Sequence, residues 1–470
     1  MKNFNIKLYV LAPLTLAVVL LMWFLPASFF GIEGLTVVQQ RTIAIFCYAA
    51  LMWMFEIIPA WATSVTTIVF LLIAVSNKGL ANETMGSLVN YKEIMAAFAD
   101  PIIMLFLGGF VLAITASKVG LDVVLARVLL KPFGTNPKWV LLGFLTLISV
   151  MSMFMSNTAT AAMMLAFLAP VLRTLPADGG GRVSLAMSIP IAANIGGLGT
   201  PIGTPPNAIA IGQLAAMDIN VGFAAWMIRF VPVVIIMIVF SWWLLQMLFP
   251  FKAKDVKIVI NTNEEHKMDW KFWVVTITFI TTILLWMTGE LTHLNSNVVA
   301  LIPFGVFALL GIFKRDDFAK IDWHVLWMVA GGFAIGTALN KTGLAAALVE
   351  SIPFGSWSAI VVLVIAGLLG WLLSNFIANS SAANLLVPIL AVVGTAMSEQ
   401  LGAFGGVTTL LVCVAASTSF AMLLPISTPP NAIACSTGLI QTKDMTKVGL
   451  IVGLVGIGLS YAVLLLFPFN

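Results

Sequence analysis

"GTPPNAIA" fills residues 203–210 and "STPPNAIA" residues 427–434. Seven consecutive residues recur 224 positions apart, each time inside a run otherwise apolar enough to be helical. Gly203 can take conformations closed to other residues, and Pro205 and Pro206 donate no backbone hydrogen bond, so the sequence predicts a break in the helix in each copy. The alternative reading of a single break is a packing kink. Two in matching positions carry more meaning. Irregular backbone inside a bilayer persists only where protein or a water-filled cavity satisfies its amides and carbonyls, and paired interruptions point to the binding site of a membrane carrier.

The rest of the chain supplies that bilayer context. Of 470 residues, 61% are hydrophobic and only 9% charged, and the mean hydropathy is +1.08. One soluble core cannot hide so much apolar surface, which places the chain in a membrane. The net charge of +4 is small and gives no reason to expect nucleic acid as a partner. Cys47, Cys413 and Cys435 lie far apart without metal-ligand spacing and read as small core residues. A membrane enzyme would need a nucleophile with its base, or facing His, Asp and Glu ligands; the sequence offers neither. An anion channel is the nearer competitor, since broken helices also line pores.

Two further blocks repeat in the same order. "LGGFVLAITASKVGLD" at 107–122 matches "AGGFAIGTALNKTGLA" at 330–345, and "SNTATAAMML" at 156–165 matches "ANSSAANLLV" at 378–387. The offsets are 223 and 222, close to the 224 of the proline motif, so the chain is read as a duplication. The expected organisation is a first transmembrane helix in 1–35 and a first repeat in 36–250. A hydrophilic cytoplasmic linker at 251–271 and a second repeat in 272–470 follow. Hairpins are expected at 139–172 and 358–393, and broken helices at 184–215 and 407–440.

If the hairpins are re-entrant, each repeat crosses the membrane an odd number of times and the second copy must be inverted. Basic residues agree: Arg127, Lys131, Lys138, Arg173 and Arg182 flank the first hairpin, whereas the connectors around 350–357 and 394–406 carry none. That places the N-terminus and the linker in the cytoplasm and the C-terminus outside.

At the hairpin tips, Ser152 and Ser156 lie one helical turn apart and precede Asn157 and Thr158; Ser374 and Ala378 precede Asn379 and Ser380. Such groups either glue helices together or donate to a carboxylate without introducing a buried charge. The broken helices expose half-helix ends: a positive end that attracts an anion and free carbonyls that can hold sodium. Lys118 and Lys341 sit at equivalent places about 15 Å of helix beyond their Gly-Gly-Phe motifs, where snorkelling is the ordinary explanation. His266, His293 and His324 fall in connectors or at helix ends, so the duplicated site is expected to contain no titrating group.

Taken together, the duplicated Ser-Asn-Thr-like tips, the duplicated Thr-Pro-Pro-Asn breaks and "FEIIPAWATSV" at 55–65 resemble the divalent anion:sodium symporters, over nearly the whole chain after the first helix. The resemblance implies an all-α polytopic membrane protein of about eleven spans plus two re-entrant hairpins in two inverted repeats, working as an elevator. It also implies a homodimer in the bacterial inner membrane that carries a dianion with sodium ions. One sodium would be held by Ser152, Ser156, Asn157 and Gly203, another by Ser374, Ile377, Asn379 and Ser427. The dianion would meet Asn157, Thr158, Thr204 and Pro205 from one copy, and Asn379, Ser380, Thr428 and Pro429 from the other.

This chain departs from the pattern at Ala378-Asn379-Ser380, where the family reads Ser-Asn-Thr. Alanine has no side-chain ligand, so either a carbonyl suffices at the second sodium site or the coupling differs. The lack of large soluble insertions favours C4-dicarboxylates over sulfate, with citrate and exchange as alternatives.

Overall fold

The computed structural model describes residues 6–176, 179–256, 268–351 and 357–469. Most of the expected linker, including His266, and part of the 350–357 connector lie outside the described residues. The described residues form helices and no strand, with one isolated bridge between Ser76 and Val89.

The chain opens with α1 (Ala12–Phe24), α2 (Val37–Phe55), α3 (Ala60–Ala74) and the short α4 (Tyr91–Ala96). Next come α5 (Pro101–Lys118), α6 (Leu121–Leu130), α7 (Pro137–Phe154) and α8 (Asn157–Thr174). The broken pair α9 (Gly181–Gly197) and α10 (Pro205–Ala215) precedes α11 (Phe223–Leu248). The same order then returns, with two one-turn helices inserted at Gly289–Thr292 and Ser398–Gly402: it begins with α12 (Trp270–Met287), α13 (Gly289–Thr292), α14 (Ser296–Leu309) and α15 (Arg315–Phe318). It continues through α16 (Trp323–Lys341), α17 (Leu344–Ser351), α18 (Ala359–Ser374) and α19 (Asn379–Ala396). The last four are α20 (Ser398–Gly402), α21 (Gly406–Ser419), α22 (Pro429–Cys435) and α23 (Thr442–Leu466). Both proline motifs fall where the sequence predicts them, with Pro205 and Pro429 opening α10 and α22, where a missing N–H costs nothing.

Among the described residues, six helices are long and apolar enough to cross a membrane, seven if α16 and α17, bent by 67°, count as one broken span. Five shorter apolar helices accompany them, including α3, α14 and α18. Large side chains such as Ile228, Trp243, Ile277 and Val298 face outward, as lipid-facing residues do. The chain is a multi-pass membrane protein.

Two layers position the site. In one, α5 packs on α14 and α16 on α3; in the other, α7 and α8 pack on α9, and α18 and α19 on α21. The Gly-Gly-Phe motifs serve both contacts. A Cβ at Gly108 would lie 2.0 Å from the Ala300 carbonyl oxygen, and one at Gly331 2.4 Å from Ser64 Cβ, so the first glycine of each pair lets neighbours within the first layer close up. The second glycine faces the other layer: Gly109 meets Ile202 and Gly332 meets Asn384.

The two Gly-Gly-Phe helices run antiparallel, as their ends record. Lys118, at the end of α5, pairs with Asp317 just before α16, while Lys341, at the end of α16, lies 3.4 Å from Glu93 just before α5. The duplicated lysines are thus spoken for by reciprocal ion pairs at opposite ends of the bundle. Both helices end on a glycine in the left-handed region, Gly120 at φ +77° and Gly343 at φ +74°.

Candidate functional site

The hairpin tips and helix breaks meet around one cavity of about 260 Å³. Its walls include Ser156, Asn157, Thr158, Gly203, Thr204 and Pro205 from the first copy, and Asn379, Ser380, Ser427, Thr428 and Pro429 from the second. Every residue that the family resemblance implied for the dianion lies on this lining. Ser152 and Ser374 are fully buried behind it and Ile377 nearly so, none of them on its surface.

Four helix N-termini open on the cavity: those of α8, α10, α19 and α22. The residues preceding α8, α10 and α19 make no side-chain cap. The first-turn amides of α8 and α19 therefore keep their positive ends for whatever fills the cavity, whereas α10 opens on Pro205 and Pro206, which carry no N–H. Only α22 is capped, by Thr428, whose Oγ1 accepts from the Asn431 N–H at 3.3 Å. Among the described residues, the hydroxyls of Ser156, Thr158, Thr204 and Ser380 have no protein partner. Together they line the cavity with neutral donors and oriented backbone, a surface suited to carboxylates.

Behind the lining, each copy gathers oxygens around its asparagine. Ser152 Oγ lies 2.5 Å from Asn157 Oδ1 and 2.8 Å from the Ala193 carbonyl. The same amide atom of Asn157 also faces the carbonyls of Ala193 at 3.3 Å and Gly203 at 3.1 Å. With nitrogen in that place the amide donates to all three oxygens; with oxygen there, four oxygens converge, an arrangement that a cation holds together. In the second copy Ser374 Oγ lies 2.7 Å from Asn379 Oδ1 and 3.0 Å from the Thr418 carbonyl. The donor set is all neutral oxygen, which fits a hard monovalent cation. No cluster of three or more His, Cys, Asp or Glu suited to a metal occurs among the described residues.

Glycine is required where tip meets break. A Cβ at Gly203 would sit 2.4 Å from the Gly197 carbonyl oxygen, and one at Gly197 2.8 Å from Asn157 Oδ1. Each loop is then strapped by its motif asparagine. Asn207 Nδ2 donates to the carbonyls of Gly197 (3.1 Å) and Thr200 (2.8 Å), and Asn431 Nδ2 to those of Met422 (3.1 Å) and Leu424 (2.9 Å). Between the copies, Asn194 Nδ2 donates to Thr428 Oγ1 at 3.2 Å and Asn431 Oδ1 at 3.3 Å. Sequence reasoning did not single out these three asparagines, although two stand in the repeated Thr-Pro-Pro-Asn.

One expectation needs correction. The cavity does carry a carboxylate and an imidazole: Asp322 and His324, 3.4 Å apart, line its rim. They come from the start of α16, Asp322 immediately before the helix and His324 in its first turn. The same two residues, with Phe110, Ser156 and Thr158, also line a vestibule of about 770 Å³ bounded by Lys118 and Lys320. Both ammonium groups bond the buried Asp317. Burial alone would raise the Asp317 carboxyl, but hydrogen bonds from Lys118, the Lys314 N–H and Lys320 outweigh it and hold it below the usual carboxylate range.

The cavity is thus built from two copies of one motif, with helix ends and neutral oxygens along its walls and the Asp322–His324 pair at its rim. The citrate transporter (CitMHS) profile matches residues 48–405. The chain is 30% identical over 450 residues to the sodium-dependent dicarboxylate transporter SdcS of Staphylococcus saprophyticus, covering 88% of this chain and 83% of that one. It is likewise 30% identical to SdcS of Staphylococcus aureus strain USA300, over 93% of this chain and 87% of that one. To the sodium-dependent high-affinity dicarboxylate transporter 3 of Caenorhabditis elegans it is 28% identical, over 87% and 79%. The chain belongs to this family, the divalent anion:sodium symporters.

Proposed function

We propose that the protein couples inward sodium movement to uptake of a C4-dicarboxylate such as succinate, malate or fumarate. The observation that carries this reading is the cavity to which both copies contribute their tips and breaks, with three uncapped helix N-termini and unpartnered hydroxyls facing it. The names of the relatives agree with it.

In this mechanism sodium ions bind behind the lining, one among Ser152, Ser156, Asn157 and the Gly203 carbonyl, the other among Ser374, Ile377, Asn379 and Ser427. Their charge adds to that of the helix ends. The dianion then docks on Asn157, Thr158, Thr204 and Pro205 opposite Asn379, Ser380, Thr428 and Pro429. Charge compensation is what permits movement, because a bare dianion faces a prohibitive desolvation cost in hydrocarbon.

The loaded layer, α7–α10 with α18–α22, slides as an elevator against a scaffold formed by α2, α3, α5, α14 and α16. The glycine-faced contact at Gly109 and Gly332 supports such sliding. So does the unequal access of the two faces. The cavity joins the vestibule at Phe110, while the matching Phe333 packs against Gly212, where a Cβ would fall 2.0 Å from its Cζ. The basic residues near the vestibule support a cytoplasmic side for it, on which reading this is an inward-open state. The proposal further includes about eleven spans in inverted repeats, a homodimer in the bacterial inner membrane, and a cytoplasmic N-terminus with an external C-terminus.

Proteoliposomes given labelled succinate, malate, fumarate, citrate or sulfate, each with and without a sodium gradient, test substrate and coupling together. Sodium-driven uptake of C4-dicarboxylates is expected. Uptake that ignores sodium but follows internal dicarboxylate would make the protein an exchanger, and absence of counterflow would make it a channel.

A further inference from the structure

Asp100 and Asp322 stand 222 residues apart, each immediately before a Gly-Gly-Phe helix. Aspartate at that position ordinarily caps the helix by accepting from a first-turn amide. Asp100 does so, its Oδ1 accepting from the Ile102 N–H at 2.8 Å. Asp322 does not. Its side chain makes no cap bond to α16 but turns toward His324 and lines both the site cavity and the vestibule, with 38% of its surface accessible. Among the described residues lining the site cavity it is the one carboxylate, in a place otherwise arranged to attract anions.

The neighbouring charges do not cancel it. Lys118 on α5 and Lys320 in the connector both bond the buried Asp317, and the Trp61 ring of α3 meets His324 edge-on at 6.1 Å. His324 is thus the one cationic group paired with Asp322 among the described residues, and only when protonated.

We propose that Asp322 is a specificity-determining residue whose fixed negative charge limits how much charge the transported anion can carry. This rests on the reading that the cavity holds a dianion. Two carboxylates are served by the tips and helix ends of the two copies. A third has only the vestibule side of the cavity to occupy, and there it meets Asp322 across a few ångströms of partly wet space. Like-charge repulsion at such range is worth about a tenfold change in affinity. Asp322 therefore separates dicarboxylates from tricarboxylates, within a family whose profile is named for citrate and whose relatives are named for dicarboxylates.

The test is competition by citrate against labelled succinate uptake in proteoliposomes at about pH 8, where citrate is fully ionised, with wild type, Asp322→Asn and Asp322→Glu. The quantity read is the citrate concentration for half inhibition relative to the succinate KM. Asp322→Asn is expected to lower that ratio about tenfold, while Asp322→Glu keeps the wild-type value. If Asp322→Asn does not yield monodisperse protein, Asp322→Ser provides the same neutralisation. An unchanged ratio in the neutral variant, or the same fall in the glutamate variant, overturns the proposal. Failure of the wild type to take up succinate would instead refute the underlying transport reading.

Discussion

The two copies of the site share a plan and differ in how much of it is already committed. In the second copy, Thr428 caps α22 and its hydroxyl lies 2.9 Å from Asn431 Oδ1, while Asn194 of the first copy donates to both residues. In the first copy, Thr204 makes no cap and Asn207 Oδ1 is buried without a partner. At the place of Asn194 the second copy has Thr418 and Ser419, and both hydroxyls turn back to the Ala415 carbonyl at 2.9 Å. Loop closure differs too. A buried carbonyl at the hairpin accepts a loop hydroxyl in each copy, but the donor is Thr200 to Met153 in one and Ser427 to Asn375 in the other. Duplication thus preserved a geometry while letting the atoms that enforce it change. The second half-site is braced across the copies, whereas the first leaves Thr204 without a cap bond.

The largest test of that comparison removes what the copies hold in common. Asn157→Ala and Asn379→Ala should each reduce sodium-dependent succinate uptake by roughly a hundredfold, since each removes a ligand-facing amide and an oxygen of the cluster behind it. Wild-type-like uptake in either variant would show that one copy suffices.

Next comes the contact that only one copy makes. Gly203→Ala should cost about 1–3 kcal/mol through the clash with Gly197, whereas Ser427→Ala at the matching position should cost about 1 kcal/mol for lost hydrogen bonds. Thermal unfolding of the purified variants in detergent reads both, and equal losses would erase the distinction.

The reciprocal ion pairs differ in burial. Asp317→Asn should lower stability by roughly 2 kcal/mol because it leaves Lys118 without its buried partner, and Glu93→Gln by less than about 0.5 kcal/mol. The sign with pH follows from the lowered Asp317 carboxyl. The folded state binds that proton more weakly than the unfolded chain, so its contribution is complete above the ordinary carboxylate range and is lost as pH falls below about 4. Melting curves across that interval should flatten in Asp317→Asn.

The smallest effect separates bracing from binding. Thr428→Ala should cost about 1 kcal/mol as a lost cap, while Thr204→Ala should change stability by less than about 0.5 kcal/mol and raise the succinate KM. The reverse ranking in paired melting and uptake measurements would mean that the free and committed copies are misassigned.

Much of this was legible in the sequence because helix breakers act locally. Pro205 and Pro429 dictate where α10 and α22 begin whatever surrounds them, and the repeated blocks fixed which segments correspond. The residues expected on the cavity came from the resemblance to the divalent anion:sodium symporters, carried onto those motifs. Contacts between distant segments left no such mark. Nothing adjacent to Asn194 announces that its amide crosses to Thr428, and Asp322 reads as an ordinary cap until α16 is seen without one. Lys118 and Lys341 read as snorkelling residues, yet each has an ion-pair partner, Asp317 or Glu93, in a short helix distant in sequence, where pattern carries little information.

The central claim is that each half-site holds a sodium ion behind the dianion, the second one despite Ala378. The dependence of initial succinate uptake on external sodium, measured in proteoliposomes with potassium as the replacing cation, tests it most directly. Occupation of both clusters predicts a sigmoid curve with a Hill coefficient above about one and no uptake in potassium alone. A hyperbolic curve, or uptake that persists without sodium, would contradict it.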